Sequence, residues 1–219
     1  MFDISIVFDY IGPLLEGLWT TAWISGISIF IGLILGVALA LTRNGKHPLW
    51  SRLVIVYVSF FRGTPLLVQL AIVFYFLPLA GIFVPSIVAA ILVLSMNTAA
   101  FQSEILRGGF RTLPKGQEEA AWSYGITQWQ CFFHIKLPQV LRKTLPSLVN
   151  ETIDIIKNSA LISTIAVTDL MRIVQSYSST TYRPLEFFIT AGALYLILTC
   201  TVSYVGQRIE QKLIQHQGA

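Results

Sequence analysis

Charge is what this sequence has least of: 12% of its 219 residues are Asp, Glu, Lys or Arg, against about a quarter in soluble globular domains. With 54% hydrophobic residues and a mean hydropathy of +0.68, the chain reads as a single-domain integral membrane protein. Cysteine is nearly absent as well. Cys131 and Cys200 lie far apart, which excludes a disulfide framework and a cysteine zinc site. His47, His134 and His216 have no mutual spacing for a metal. No G-x-x-x-x-G-K-[ST] phosphate-binding loop occurs. The opening MFDISIVFDY lacks a basic n-region and a small-residue cleavage site, so no signal peptide is expected. The net charge of +4 points to basic loops beside a membrane rather than to nucleic acid.

What is present is apolar length. A spanning helix needs about 20 mostly apolar residues. The first candidate runs from about Leu14 to Thr42 and is uncharged after Glu16. No charge falls between Arg62 and Glu104, a run too long for one helix and broken by Pro78, Gly81 and Pro85; it reads as two spans, 53–78 and 84–106. A fourth span covers 144–165 and a fifth 187–207. Lys and Arg concentrate in cytoplasmic loops. Here Arg43, Lys46 and Arg52 follow span 1, and Arg107, Arg111, Lys115, Lys136, Arg142 and Lys143 follow span 3. Arg208 and Lys212 follow span 5, while the opposite side holds only Arg172 and Arg183. The expected fold is therefore all-α with about five transmembrane helices, the N-terminus outside and the C-terminus cytoplasmic.

Between spans 3 and 4 lies a basic segment too polar to cross. Pro114 and Gly116 open a helix, and Glu118 and Glu119 in its first turn complement the helix dipole. Ala120, Ala121 and Trp122 continue it until Gly125 supplies a left-handed stop. A second amphipathic piece, with Trp129, Phe132 and Phe133 as its apolar face, runs to Pro138, which is expected to end it. These residues suit either a helix lying on the lipid surface or one presented to a cytoplasmic partner.

The spacing Glu119-Ala120-Ala121, three residues, Gly125, nine residues, Ile135-Lys136-Leu137-Pro138 resembles the EAA loop of ABC importer membrane subunits. SFFRGTPLLVQL (59–70), NTAAFQSEILRGG (97–109) and LPQVLRKTLP are similar to the polar amino-acid permease branch, the histidine, glutamine and arginine type. The resemblance extends from about Gly17 to Lys212. It implies a type I transmembrane domain over 14–208, with the EAA loop at about 111–143, an extracytoplasmic segment 1–13 and a cytoplasmic tail 209–219. It also implies a place in the cell (inner) membrane, a second permease subunit, identical or homologous, two cytoplasmic ATPase subunits and an extracytoplasmic solute-binding protein. The coupling surface it implies comprises Lys115, Gly116, Gln117, Glu119, Ala120, Ala121 and Gly125. No cofactor is implied, ATP being bound by the partner.

Span 4 holds charges that lipid penalises: Glu151, Asp154 and Lys157. On a helix Glu151, Asp154 and Asn158 stand at i, i+3 and i+7 and share a face, while Asp154 and Lys157, three apart, can neutralise each other. A carboxylate facing a cavity can receive a substrate's ammonium group. The resemblance sharpens this, because permeases of this branch that handle cationic amino acids often carry an acid directly after the first Asn, as Asn150-Glu151 does here. The chain departs from the branch with Asn158 where Asp is usual, and with Asp154 where a small or apolar residue is commoner. The substrate implied is a polar amino acid, basic or neutral. Thr64 and its neighbours Arg62, Gly63 and Pro65 suggest a discontinuous helix of the kind found at transport sites. Arg62 could receive a substrate carboxylate, but pairing with Glu104 or lipid phosphate is favoured. Gln69, Asn97 and Gln102 could line the cavity or, more in keeping with membrane helices, hydrogen-bond between helices. The competing classes are an intramembrane enzyme using the span 4 acids, and a structural membrane subunit. The first lacks an accompanying Ser–His, Cys–His or histidine cluster, and the second has no need of buried charge plus a docking helix.

Overall fold

The computed structural model describes residues 5–45 and 47–215, and among these every regular element is helical. After a single turn at Ser5–Phe8 come α1 (Ile11–Asn44), α2 (Pro48–Gly63) and α3 (Leu66–Ala71). A π-helical turn, Ile72–Phe76, and a 3-10 turn, Leu77–Ala80, prolong α3. Then follow α4 (Ser86–Arg111), α5 (Gly116–Ser123), α6 (Leu137–Asn158), α7 (Leu170–Thr181) and α8 (Pro184–Gln215).

Three helices are long and apolar enough to cross a membrane, α1, α4 and α8, and the bent pair α2–α3 makes a fourth if counted as one span. The sequence suggested five, and two differences account for the shortfall. The span expected at 53–78 is two pieces meeting at 107°. Gly63 and Thr64 precede Pro65, whose ring drives Thr64 to φ −114°, ψ 145° and withholds a backbone N–H. The span expected at 144–165 is part of α6, which starts earlier at Leu137, ends at Asn158 and passes into a 3-10 turn to Ile165. Its polar stripe leaves it too hydrophilic to count as a lipid-facing helix.

The tightest packing joins α1 to α4. A Cβ on Gly32 would collide with the Thr98 methyl, and one on Gly36 would sit 3.1 Å from Gln102 Cβ and 3.3 Å from the Ala99 carbonyl. The α4 side of the contact is small as well: Ser95, Thr98, Ala99 and Ser103 are all buried. Apolar lipid gives helices no hydrophobic reason to associate, so close backbone approach through small residues does that job. The same device recurs where Gly109 of α4 meets Val140 and Thr144 of α6, and where Gly206 of α8 meets Val149. At the end of the bundle away from Arg43, the buried Asp169 caps α7 by accepting from the Arg172 amide at 3.0 Å and the Met171 amide at 3.3 Å.

Replacing Gly32 by Val should cost about 1–3 kcal/mol through overpacking. Gly26, in the same helix with nothing within 4 Å of its would-be Cβ, should accept Ala without loss. Thermal unfolding of the two purified variants in detergent compares them directly; equal melting temperatures would refute the close-contact account.

Candidate functional site

The polar groups of the bundle gather along α6 and at the α2–α3 break, with α4 between them. Glu151 is 8% exposed and accepts a 3.0 Å hydrogen bond from the Thr98 hydroxyl of α4. Thr98 in turn accepts from the Gln102 amide at 3.2 Å. Asp154 and Lys157 pair with each other at 2.8 Å, their side chains 59% and 56% exposed, and Asn158 is exposed beside them. The expected common face is thus divided. Glu151 lies with Ile155 and Ile156 on the packed side, whereas Asp154, about 60° around the helix from it, lies outside together with Asn158. Ionisable groups on the outside of a helix at membrane depth require a partner or a water-filled space, and Asp154 and Lys157 supply each other.

Thr64, Gln69 and Asn97 are brought together at the break. Gln69 Nε2 donates to the Phe61 carbonyl at 2.9 Å, the Thr64 carbonyl at 3.1 Å and the Thr64 hydroxyl at 2.9 Å. Asn97 Nδ2 donates to the same Phe61 carbonyl at 3.2 Å and to Gln69 Oε1 at 3.0 Å. These are the carbonyls that a helix end leaves without an intrahelical donor. Gln69 and Asn97 are 3% and 5% exposed, so the amides close the break from within, the interhelical use weighed against cavity lining above.

A third cluster surrounds Glu104 near the basic end of α4. Arg107 reaches both of its oxygens through Nε, at 3.0 and 3.1 Å, and Oε2 again through Nη2. Arg43 of α1 pairs with Oε1, and Arg62 stands 3.8 Å from Oε2. The favoured Arg62–Glu104 pairing is therefore present, but at long range. Arg43 was missed in the sequence because 61 positions separate it from Glu104, whereas the i, i+3 spacing of Glu104 and Arg107 could have been noticed.

The basic loop folds as a second, separate feature. Glu118 and Glu119 occupy the first turn of α5, and Gly125 ends the turn at φ 73°, its amide bonded to the Trp122 carbonyl at 3.0 Å. Lys115, Gly116, Glu119, Ala120 and Gly125 are exposed, while Ala121 is 4% exposed and anchors the helix. Two contacts bind α5 to the start of α6: Gln117 and Gln139 exchange amide hydrogen bonds at 3.1 and 3.0 Å, and Glu118 pairs with Lys136. A capping box of Thr127 and Gln130 starts the next piece, whose π-helical turn Cys131–Lys136 runs straight into α6. Pro138 therefore does not stop the helix. It sits in the first turn of α6, where a missing N–H costs little. The apolar face expected from Trp129, Phe132 and Phe133 splits too: Phe132 packs on Phe110, with ring centroids 5.5 Å apart, while Trp129 and Phe133 stay exposed.

Residues 17–215 match a family described as the inner membrane component of binding-protein-dependent transport systems. The chain belongs to that family. It is 38% identical over 212 residues to the arginine transport system permease protein ArtQ of Bacillus subtilis, with 96% of this chain and 97% of that one covered. It is 37% identical to the nopaline transport system permease protein NocM of Agrobacterium fabrum, over 99% and 94% of the two chains. To the glutamine transport system permease protein GlnP of Escherichia coli it is 31% identical, over 97% and 98%. Among solved structures, an amino acid ABC transporter crystallised with histidines superposes with a TM-score of 0.88 at 32% identity, covering 97% of this chain and 99% of that one. The protein is accordingly a membrane transport subunit rather than an enzyme.

Replacing Gln69 by Leu should strip the Thr64 carbonyl of its side-chain donor, leave the Phe61 carbonyl to Asn97 alone and cost about 1–3 kcal/mol, without altering which ligand the assembled transporter prefers. Melting temperature and ligand preference, measured on one preparation, separate the two; a changed preference at unchanged stability would return Gln69 to the binding site.

Proposed function

We propose that this chain is the membrane-spanning permease subunit of an ATP-driven importer for a polar amino acid, basic or neutral, handed over by an extracytoplasmic solute-binding protein. The observation that carries the reading is the end-to-end match to permease proteins of arginine, nopaline and glutamine systems. In this reading Glu151 faces the amino acid's cationic group, and its bond from Thr98 fixes the carboxylate's direction. Asp154 and Asn158 border the same pathway from the exposed side of α6. Thr64, Gln69 and Asn97 shape the break that forms its opposite wall. The N-terminus lies outside and the C-terminus in the cytoplasm, as the distribution of Lys and Arg suggests. The type I domain spans 14–208, between an extracytoplasmic segment 1–13 and a cytoplasmic tail 209–219.

The α5 loop then faces the cytoplasm. Lys115, Gly116, Glu119, Ala120 and Gly125 present a small, mostly side-chain-poor surface to the ATPase, with Gln117 and Ala121 holding it in place. The assembly contains two such permease subunits, identical or homologous, and two ATPases. The permease needs no cofactor of its own, because ATP binds to the partner.

Thermal stabilisation of the purified complex by each common amino acid tests the substrate class. At 100 times its dissociation constant a ligand adds about 2.7 kcal/mol. Glu151→Gln should abolish the stabilisation given by arginine, lysine or histidine, since a charge-assisted contact is worth roughly 10- to 100-fold in affinity. An undiminished shift would remove Glu151 from the site. Deletion of the Glu119–Gly125 turn should abolish copurification with the ATPase while leaving the helical bundle folded, as circular dichroism would report. An ATPase that still copurifies would locate the coupling surface elsewhere.

A further inference from the structure

Two adjoining cavities lie at the basic end of α1, apart from the Glu151 cluster and the α2–α3 break. The larger, about 650 Å³, separates the end of α1 from the α5 loop, and Leu41, Trp122, Trp129 and Phe132 give it apolar walls. The smaller, about 260 Å³, is bordered by Arg111 and Lys115. Glu118 and Lys136, which pair with each other, line both. The stacked rings of Phe110 and Phe132 also join them, one ring lining each cavity. Arg111 and Lys115 are exposed, and neither has a carboxylate partner among the described residues. The smaller cavity therefore sets three cations, Arg111, Lys115 and Lys136, against the one acid Glu118.

An apolar groove joined to a cationic pocket is complementary to an amphipathic anion, and its place in the fold says which. Leu41 and Thr42 belong to the last turn of α1, a helix apolar enough to cross a membrane, so the groove lies where hydrocarbon gives way to headgroups. Trp122 and Trp129 are exposed there, and tryptophan concentrates at that level of a bilayer. Basic pockets beside spanning helices take anionic headgroups. The groove also leaves most of the coupling surface free. Glu118 and Trp122, four apart, share one flank of α5, whereas Glu119 and Ala120 lie about 100° and 200° around the helix from Glu118. Lys115, at the mouth of α5, borders both. We propose that the paired cavity is a binding site for an anionic phospholipid, with an acyl chain along Leu41, Trp122 and Trp129 and the phosphate held by Arg111, Lys115 and Lys136. A lipid seated there wedges the end of α1 against the flank of the α5 loop, which makes the loop's position sensitive to lipid charge. The site rests on the membrane placement of α1 and not on the identity of the transported solute.

The test is photolabelling of the purified permease–ATPase complex in detergent, at a low lipid-to-protein ratio. The probes are phosphatidylglycerol and phosphatidylcholine carrying the same diazirine-bearing acyl chain, with adducts mapped by peptide mass spectrometry. Phosphatidylglycerol should label the segments around Leu41 and Trp129 about 10- to 30-fold more than phosphatidylcholine. Arg111→Gln should cut that preference about fivefold, and Arg111→Lys should retain most of it. Trp129→Ala should lower labelling by both lipids and leave their ratio unchanged. If Arg111→Gln fails to assemble, Trp129→Ala decides: reduced labelling supports the proposal and unchanged labelling overturns it. Equal labelling by the two lipids in wild type overturns it, since the groove then holds only bulk lipid. Loss of labelling in millimolar inorganic phosphate also overturns it, because the basic pocket then serves a free anion. Adducts confined to other segments overturn it too, leaving the groove to a protein partner. None of these outcomes touches the importer reading.

Discussion

Four of the interhelical contacts of this bundle are made by α4, and α4 is held where it is by the absence of side chains on α1. Gly32 and Gly36 let the two backbones approach until Thr98, Ala99 and Gln102 fill the gap. Lipid supplies no hydrophobic force to press them together, so the contact depends on van der Waals fit over a long face. Once α4 is seated, successive turns of it meet different parts of the chain. Asn97 closes the α2–α3 break, Thr98 reaches Glu151 of α6, Phe101 backs Arg62, and Glu104 collects the arginines. A shift of α4 by one turn would undo all four contacts together.

The charged groups obey one rule in several ways. Removing an ion from water is costly, and each ion here is repaid by a different device. Asp154 and Lys157 cancel locally on one helix. Glu104 is shared between helices by Arg43 and Arg107, which ties the basic ends of α1 and α4. Among the described residues, Glu151 has only a hydroxyl as its direct partner, and Arg62 only a ring and a distant carboxylate. The last two are the incompletely compensated members.

Much of this was legible in the sequence. The long uncharged runs fixed the positions of α1, α4 and α8, because apolar length is a local property. The α5 loop was legible for the same reason: first-turn acids, a small-residue core and a left-handed glycine are all local signals. What stayed hidden depends on how local pieces are assembled. Gly63-Thr64-Pro65 announced a break, but not its 107° angle, which Gln69 and Asn97 set by satisfying carbonyls on another segment. Pro138 looked like a terminator, yet a preceding π-turn delivered it into a first helical turn where it is tolerated. The face shared by Glu151, Asp154 and Asn158 was right in angle and wrong in environment, since periodicity cannot say where a neighbouring helix will lean.

The unbroken passage from the π-turn into α6 has a mechanical meaning. The α5 loop, clamped at Gln117–Gln139 and Glu118–Lys136, and Glu151 are joined by one rod, fourteen residue rises or about 21 Å from Leu137 to Glu151. A rod transmits displacement without slack, so the loop and the carboxylate keep a common position. Past its first turn this rod has a single interior residue without a backbone N–H, Pro146, midway between the clamp and the acid. That missing bond is the one soft joint in the linkage. Whatever moves the loop either carries Glu151 with it or bends the chain at Pro146.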